Sequence, residues 1–153
     1  MTGSAATRAI AFVAAIGAGA AGEGAQTSSA DRVAAAAVGS QIIAADNARN
    51  LALVLACYDD DATLWPPDAA PVTGHAAIRP RYEELFRASN PQLANRTTRV
   101  IVSGDLATIE GEITGRFVSR LGGGDRQVHD RYLMLLAKRA GGWRITHLVW
   151  RRV

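Results

Sequence analysis

The chain has 153 residues and is 48% hydrophobic, which fits one domain with a core of its own and leaves too little for two. Lys and Arg number 17 against 14 Asp and Glu, and Arg8 and Glu23 cancel near the N-terminus, so the rest of the chain keeps the formal charge of +3. The arginines are scattered rather than set in a basic stripe with interleaved aromatics, which argues against a nucleic-acid partner, and Arg144, Arg151 and Arg152 read as a solvated strand end.

Arg8 precedes the apolar run Ala9 to Ala21, and small residues follow it. That order predicts a signal peptide over residues 1–25, cleavage near Ala21 to Gln26, and a periplasmic or secreted domain over 26–153. The run is too short for a lasting membrane span, which needs about twenty residues.

From Ala30 to Asp46, Val33, Val38, Ile42 and Ile43 recur at helical spacing, with Ser28 or Ser29 available as a cap. After the polar break DNARN, LALVLACY predicts a short buried helix that the acids Asp59, Asp60 and Asp61 end by turn and cap chemistry. ATLW is then a brief strand closed by Pro66 and Pro67, and a turn-rich loop leads to Gly74. In the next segment Ile78, Tyr82, Leu85 and Phe86 form one helical stripe, and Pro80 predicts a late start or a bend. TTRVIVS, LATIEGEITGRFVS, RQVHDRYLMLLAKR and GWRITHLVWRRV follow, separated by tight Gly-rich turns, and predict consecutive antiparallel strands. Helices followed by a meander define an α+β fold with helices on one sheet face.

Cys57 stands alone, so no internal disulfide forms, and its apolar neighbours predict an inert thiol. The three histidines are far apart and carry no metal-ligand spacing. No phosphate loop, GxSxG elbow or heptad run is present, and nothing in the sequence calls for a cofactor.

The strings ACYDDDATLWPP, PVTGHAAIRPRYEELF, VSGDLATIEGE and DRYLMLLAKRAGGWRITHLVW resemble SnoaL-like members of the nuclear transport factor 2-like superfamily, over roughly Ala30 to Val153. The best-matching part resembles a SnoaL-related domain of unknown function. The resemblance implies a cone-shaped α+β fold, with three N-terminal helices on a curved, mainly antiparallel sheet around an apolar cavity. It also implies a homodimer. The superfamily includes ketosteroid isomerases, polyketide cyclases, dehydratases and plain binding or association domains, so fold alone does not choose the activity. The place of the isomerase's general base falls at Pro66 and that of its oxyanion tyrosine near Ile42, which disfavours classical steroid isomerisation.

Asp130 is the candidate catalytic residue. It opens an apolar stretch and shares a strand face with Tyr132 and Met134, while His129 points the other way. Burial in an apolar cavity would raise its pKa and suit it to proton transfer, whereas an ion pair with Arg131, Arg99 or Arg116 would make it structural. Along the LATIEGEITGRFVS strand, Glu110, Glu112, Thr114 and Arg116 alternate with Ile109, Ile113 and Phe117, and the polar set is expected to face water. The resemblance places Tyr58, Trp65 and Tyr82 around the mouth of the cone and Trp150 near its closure. These four and His147 are the candidate ligand contacts, for a hydrophobic small molecule. The sequence thus supports two functions: a cofactor-independent isomerase, cyclase or hydratase, or a non-catalytic binding or dimerisation module.

Overall fold

A computed structural model describes residues 21–153. Three helices, α1 (Ala21–Asn47), α2 (Leu51–Cys57) and α3 (His75–Ala88), cover one face of a six-stranded mixed sheet. The strands are β1 (Tyr58–Trp65), β2 (Val72–Thr73), β3 (Ser89–Ser103), β4 (Leu106–Ser119), β5 (Arg126–Arg139) and β6 (Gly142–Arg152), in the spatial order β2-β1-β6-β5-β4-β3. The four long strands pair consecutively and antiparallel, as their tight turns require. Only β1 and β6 run parallel, with Thr63 opposite His147 and Trp65 opposite Val149.

Several elements differ from the sequence expectation. The first helix needs no cap at Ser28 or Ser29, because α1 already begins at Ala21 and runs through both. Residues 21–25 are therefore helical, and the remainder of the expected signal peptide lies outside the described residues. Val33 is exposed, and the buried side chains of α1 are Ala35, Val38, Ile42, Ile43, Ala45 and Asp46. The three aspartates do not form a turn. Tyr58 ends α2 by bonding its amide to Leu55 O and at once begins β1, so Asp59 to Asp61 lie in a strand. Asp59 there accepts from the Arg139 guanidinium. α3 starts at His75 despite Pro80, which forfeits one helical bond in the second turn and does not interrupt the helix. β3 is longer than TTRVIVS and starts directly at Ser89, which bonds back through its hydroxyl to Leu85 O at 2.9 Å. The strand expected at ATLW lies between α2 and α3 as β1 but starts earlier, at Tyr58, and the two-residue β2 adds a pairing that the loop did not announce.

Side-chain bonds tie the helix ends to the sheet. Asn50 caps α2, accepting from the Leu53 amide at 3.1 Å. Arg49, with φ of 52°, and Arg120 both donate to Phe86 O, at 2.7 and 2.9 Å, and so satisfy a carbonyl at the C-terminal end of α3. Asn47 acts as a one-residue strand at the edge of β3: its side chain accepts from the Leu93 amide and donates to Leu93 O, each at 2.8 Å. The core between helices and sheet is built on Val54, Tyr58, Leu64, Ile78, Ile109, Met134, Leu136 and Ile145.

Candidate functional site

The strand alternation sorts β4 as its polar pattern predicts. Ile109, Ile113 and Phe117 turn toward the helices, while Glu110 and Glu112 lie on the other face, where Glu112 pairs with Arg96 at 2.8 Å and Arg131 at 3.2 Å. Those two guanidinium groups hold the Glu112 carboxyl below its ordinary pKa. On β5 the same period sends Asp130, Tyr132 and Met134 inward and His129 outward.

Between the helices and this inner face lies a cavity of about 440 Å³. Its apolar wall includes Leu64, Phe117, Met134, Leu148 and Trp150. Pro66 and Ile42 both line it, so the two places singled out from the sequence do reach the cavity, and neither carries a catalytic side chain.

Asp46 is the main polar group of the interior. It stands four residues after Ile42, hence on the same face of α1, and is only 7% exposed. Its Oδ1 is buried without a hydrogen-bond partner among the described residues. Loss of hydration pushes its pKa from 3.8 up to about 8, and its position in the last turn of α1, at the negative end of the helix dipole, acts in the same direction. The protonated, neutral acid is therefore the prevailing form at pH 7.

Tyr82, from the buried stripe of α3, also lines the cavity. Its hydroxyl lies 2.8 Å from that of Tyr58, which stands behind it in the core. Burial raises the pKa of both phenols, so both keep their protons. The bond between them uses one of the two O–H groups and leaves the other free to donate. Asp46 and Tyr82 line the same cavity, so the carboxyl and the tyrosine face one space.

Asp130 lines the same cavity, opposite Arg152 across β5 and β6. No basic group lies within ion-pair distance of it among the described residues, because Arg131 pairs with Glu112, Arg99 with Glu110 at 3.6 Å, and Arg116 with Asp125 at 3.8 Å. Desolvation raises its pKa, against the opposing fields of Arg126 and Arg152.

Of the other candidates from sequence, Trp150 and Tyr82 stand in the cavity wall and Tyr58 one layer behind it. Trp65 and His147 do not line the cavity. Trp65 is 49% exposed, and His147 is exposed with its ring against the Thr146 hydroxyl, because the period of two sends both to the outer sheet face. Cys57 is buried and its thiol is pushed up to about 11, chiefly by desolvation. Among the described residues no three acids, histidines or cysteines gather as a metal site, and no helix is long and apolar enough to cross a membrane.

Asp46 was missed from the sequence because it stands beside the polar run that ends the helix. The signal was its spacing: it extends the apolar stripe of Val38 and Ile42 by one further turn.

Helices on one face of a mixed sheet, enclosing an apolar cavity with a few inward polar groups, define a small α+β domain with an internal cavity. The model of the SnoaL-like domain family matches residues 40–147, and the chain belongs to that family. Its fold is similar to that of a ketosteroid isomerase-like protein from Erwinia carotovora atroseptica, at 22% identity and a TM-score of 0.74 over 80% of this chain and 96% of the other. It is also similar to a scytalone dehydratase-like protein from Novosphingobium aromaticivorans, at 13% identity and a TM-score of 0.74 over 84% and 88%. A conserved protein from Planctomyces limnophilus is 14% identical, with a TM-score of 0.74 over 82% and 99%. Among curated proteins none matches the chain.

Proposed function

We propose that the chain is a cofactor-independent enzyme of the isomerase, cyclase or hydratase kind, which moves a proton on an apolar, oxygenated small molecule. The observation that carries this reading is Asp46: a buried, unpartnered carboxyl in the cavity wall with its pKa near 8. A general acid or base works best when its pKa lies near the operating pH, and burial has moved this carboxyl there. Tyr82, held by Tyr58, supplies an O–H donor for a substrate oxygen that gains negative charge as the proton moves. Trp150 and the apolar wall hold the substrate body. Asp130, half-buried and raised in pKa, is the second proton-transfer candidate. Such proton transfer shifts electron pairs within the substrate but brings no net oxidation or reduction, so the proposed chemistry needs no redox group.

The test is hydrogen–deuterium exchange at carbon acids, followed by NMR over a panel of apolar ketones. Wild-type protein should exchange an α-proton, Asp46→Asn should lose that activity, and Asp130→Asn should keep part of it. Exchange that survives in Asp46→Asn and disappears in Asp130→Asn would transfer the role to Asp130. An inactive wild type would leave the binding-module reading.

A homodimer through the outer sheet face belongs to the same proposal. Trp65, Val149 and Leu133 lie side by side there, each more than 40% exposed, on neighbouring strands β1, β6 and β5. An apolar row of this kind favours association with a second copy.

A further inference from the structure

We propose that Arg81 makes this cavity selective for an anionic ligand, an apolar molecule with a single carboxylate held by the Arg81 guanidinium against Trp150. The proposal deepens the reading above, because it rests on the cavity taking an apolar small molecule and adds the charged group that molecule must carry.

Arg81 precedes Tyr82 on α3, is half-buried and lines the cavity. Its guanidinium carbon lies 5.7 Å from the centre of the Trp150 ring, in the wall of the same cavity. Among the described residues it meets no carboxylate within ion-pair distance and donates no hydrogen bond. Of the neighbouring charges, Arg152 pairs with Asp68 at 2.5 Å and Glu84 with Arg87 at 2.7 Å. Arg126, over Phe117 at 4.4 Å, is also without an ion pair among the described residues, but it is exposed at the start of β5, whereas Arg81 is half-buried. Asp130 feels Arg126 and Arg152, and Arg81 is not among the charges that act on it.

A guanidinium resting on an aromatic ring keeps its in-plane N–H groups free, in a fork that matches a carboxylate. Asp46, the acid of the interior, is neutral at pH 7 and does not compete for it. The half-buried Arg81 guanidinium calls for a negative charge beside it, and the apolar wall calls for a hydrophobic body attached to that charge. A phosphate, with its larger charge and hydration, suits such a wall less well.

The test is calorimetric binding of cinnamate and of methyl cinnamate, which share one apolar skeleton. Wild-type protein should bind the acid about ten-fold more tightly than the ester. Arg81→Met should lose that preference, the ratio of the two affinities falling to about one, and Arg81→Lys should recover part of it. The unmodified protein gives an independent readout, since cinnamate should shift the Arg81 Nε–H resonance in a nitrogen-correlated spectrum and the ester should not. Equal affinity for acid and ester, an unchanged preference in Arg81→Met, or an unmoved Arg81 resonance would overturn the assignment. If neither probe binds, the cavity reading falls with it. Exchange lost in Asp46→Asn judges the catalytic reading separately, because that variant should still prefer the acid.

Discussion

The Tyr132 hydroxyl donates to Asn95 Oδ1 at 2.7 Å, reaching from β5 across β4 to β3. It passes over Gly111, the residue opposite Tyr132 in the β4–β5 ladder, where a Cβ would stand 2.4 Å from the hydroxyl oxygen and 2.8 Å from Arg96 O. The same hydroxyl lies 2.9 Å from a Cβ placed on Gly39 of α1, so two glycines make room for one phenol. Gly111→Ala should therefore destabilise the fold by about 1–3 kcal/mol. Urea unfolding measures this, and a midpoint equal to that of wild type would refute it.

Asp46 makes stability depend on pH in an unusual sense. Its pKa is about 8 in the fold and near 3.8 in the unfolded chain, so between those values the folded state binds more protons. Stability should fall as pH rises from about 4 to about 8 and then level off. Asp46→Asn removes this burden, so the variant's gain in unfolding midpoint over wild type should be small near pH 4 and largest near pH 8. A gain that does not vary with pH would show that Asp46 titrates normally.

For Asp130 the expected titration lies above the ordinary carboxylate range, because desolvation outweighs the fields of Arg126 and Arg152. Carbon-detected NMR of the carboxyl measures it directly. Asp130→Asn should leave stability nearly unchanged, since no ion pair is broken. A depressed pKa together with a destabilised variant would mark a structural ion pair instead.

The Asp59–Arg139 pair has the opposite sign. The Arg139 guanidinium lowers the Asp59 pKa, so its stabilisation is present above the ordinary carboxylate pKa and is lost as pH falls through the lowered value. Arg139 is half exposed to solvent, which keeps the coupling small. A double-mutant cycle with Asp59→Ala and Arg139→Ala should find that coupling at neutral pH and none in strong acid.

The outer row of Trp65, Val149 and Leu133 predicts a dimer in sedimentation at micromolar concentration. Leu133→Glu should yield a monomer with the cavity intact. A wild-type monomer would remove the proposal.

What could be read in the sequence was periodic. The inward set of β5, the wet face of β4, the stripe of α3 and the four-strand meander all follow from spacings of two or of three to four. Boundaries were less legible, because β1 and β3 each begin directly at the end of a helix, with no turn to announce them. That Trp65 and His147 lie on the outer sheet face was not legible, because period fixes which residues share a face, not which face the helices cover. Asp46 and Arg81 escaped because a single polar residue at a stripe position or beside a buried tyrosine is marked only by what the fold sets against it.

The parallel pairing of β1 with β6 has a consequence for synthesis. β1 leaves the ribosome early, and its hydrogen-bonding neighbour on the meander side is the last strand of the sheet. Until Gly142–Arg152 emerges, β1 has only the two-residue β2 to pair with, and its other edge offers unpaired amides and carbonyls to any other chain. Closure must wait for the most distant strand partners, which slows folding and makes the nascent domain a client for chaperones that shield apolar segments.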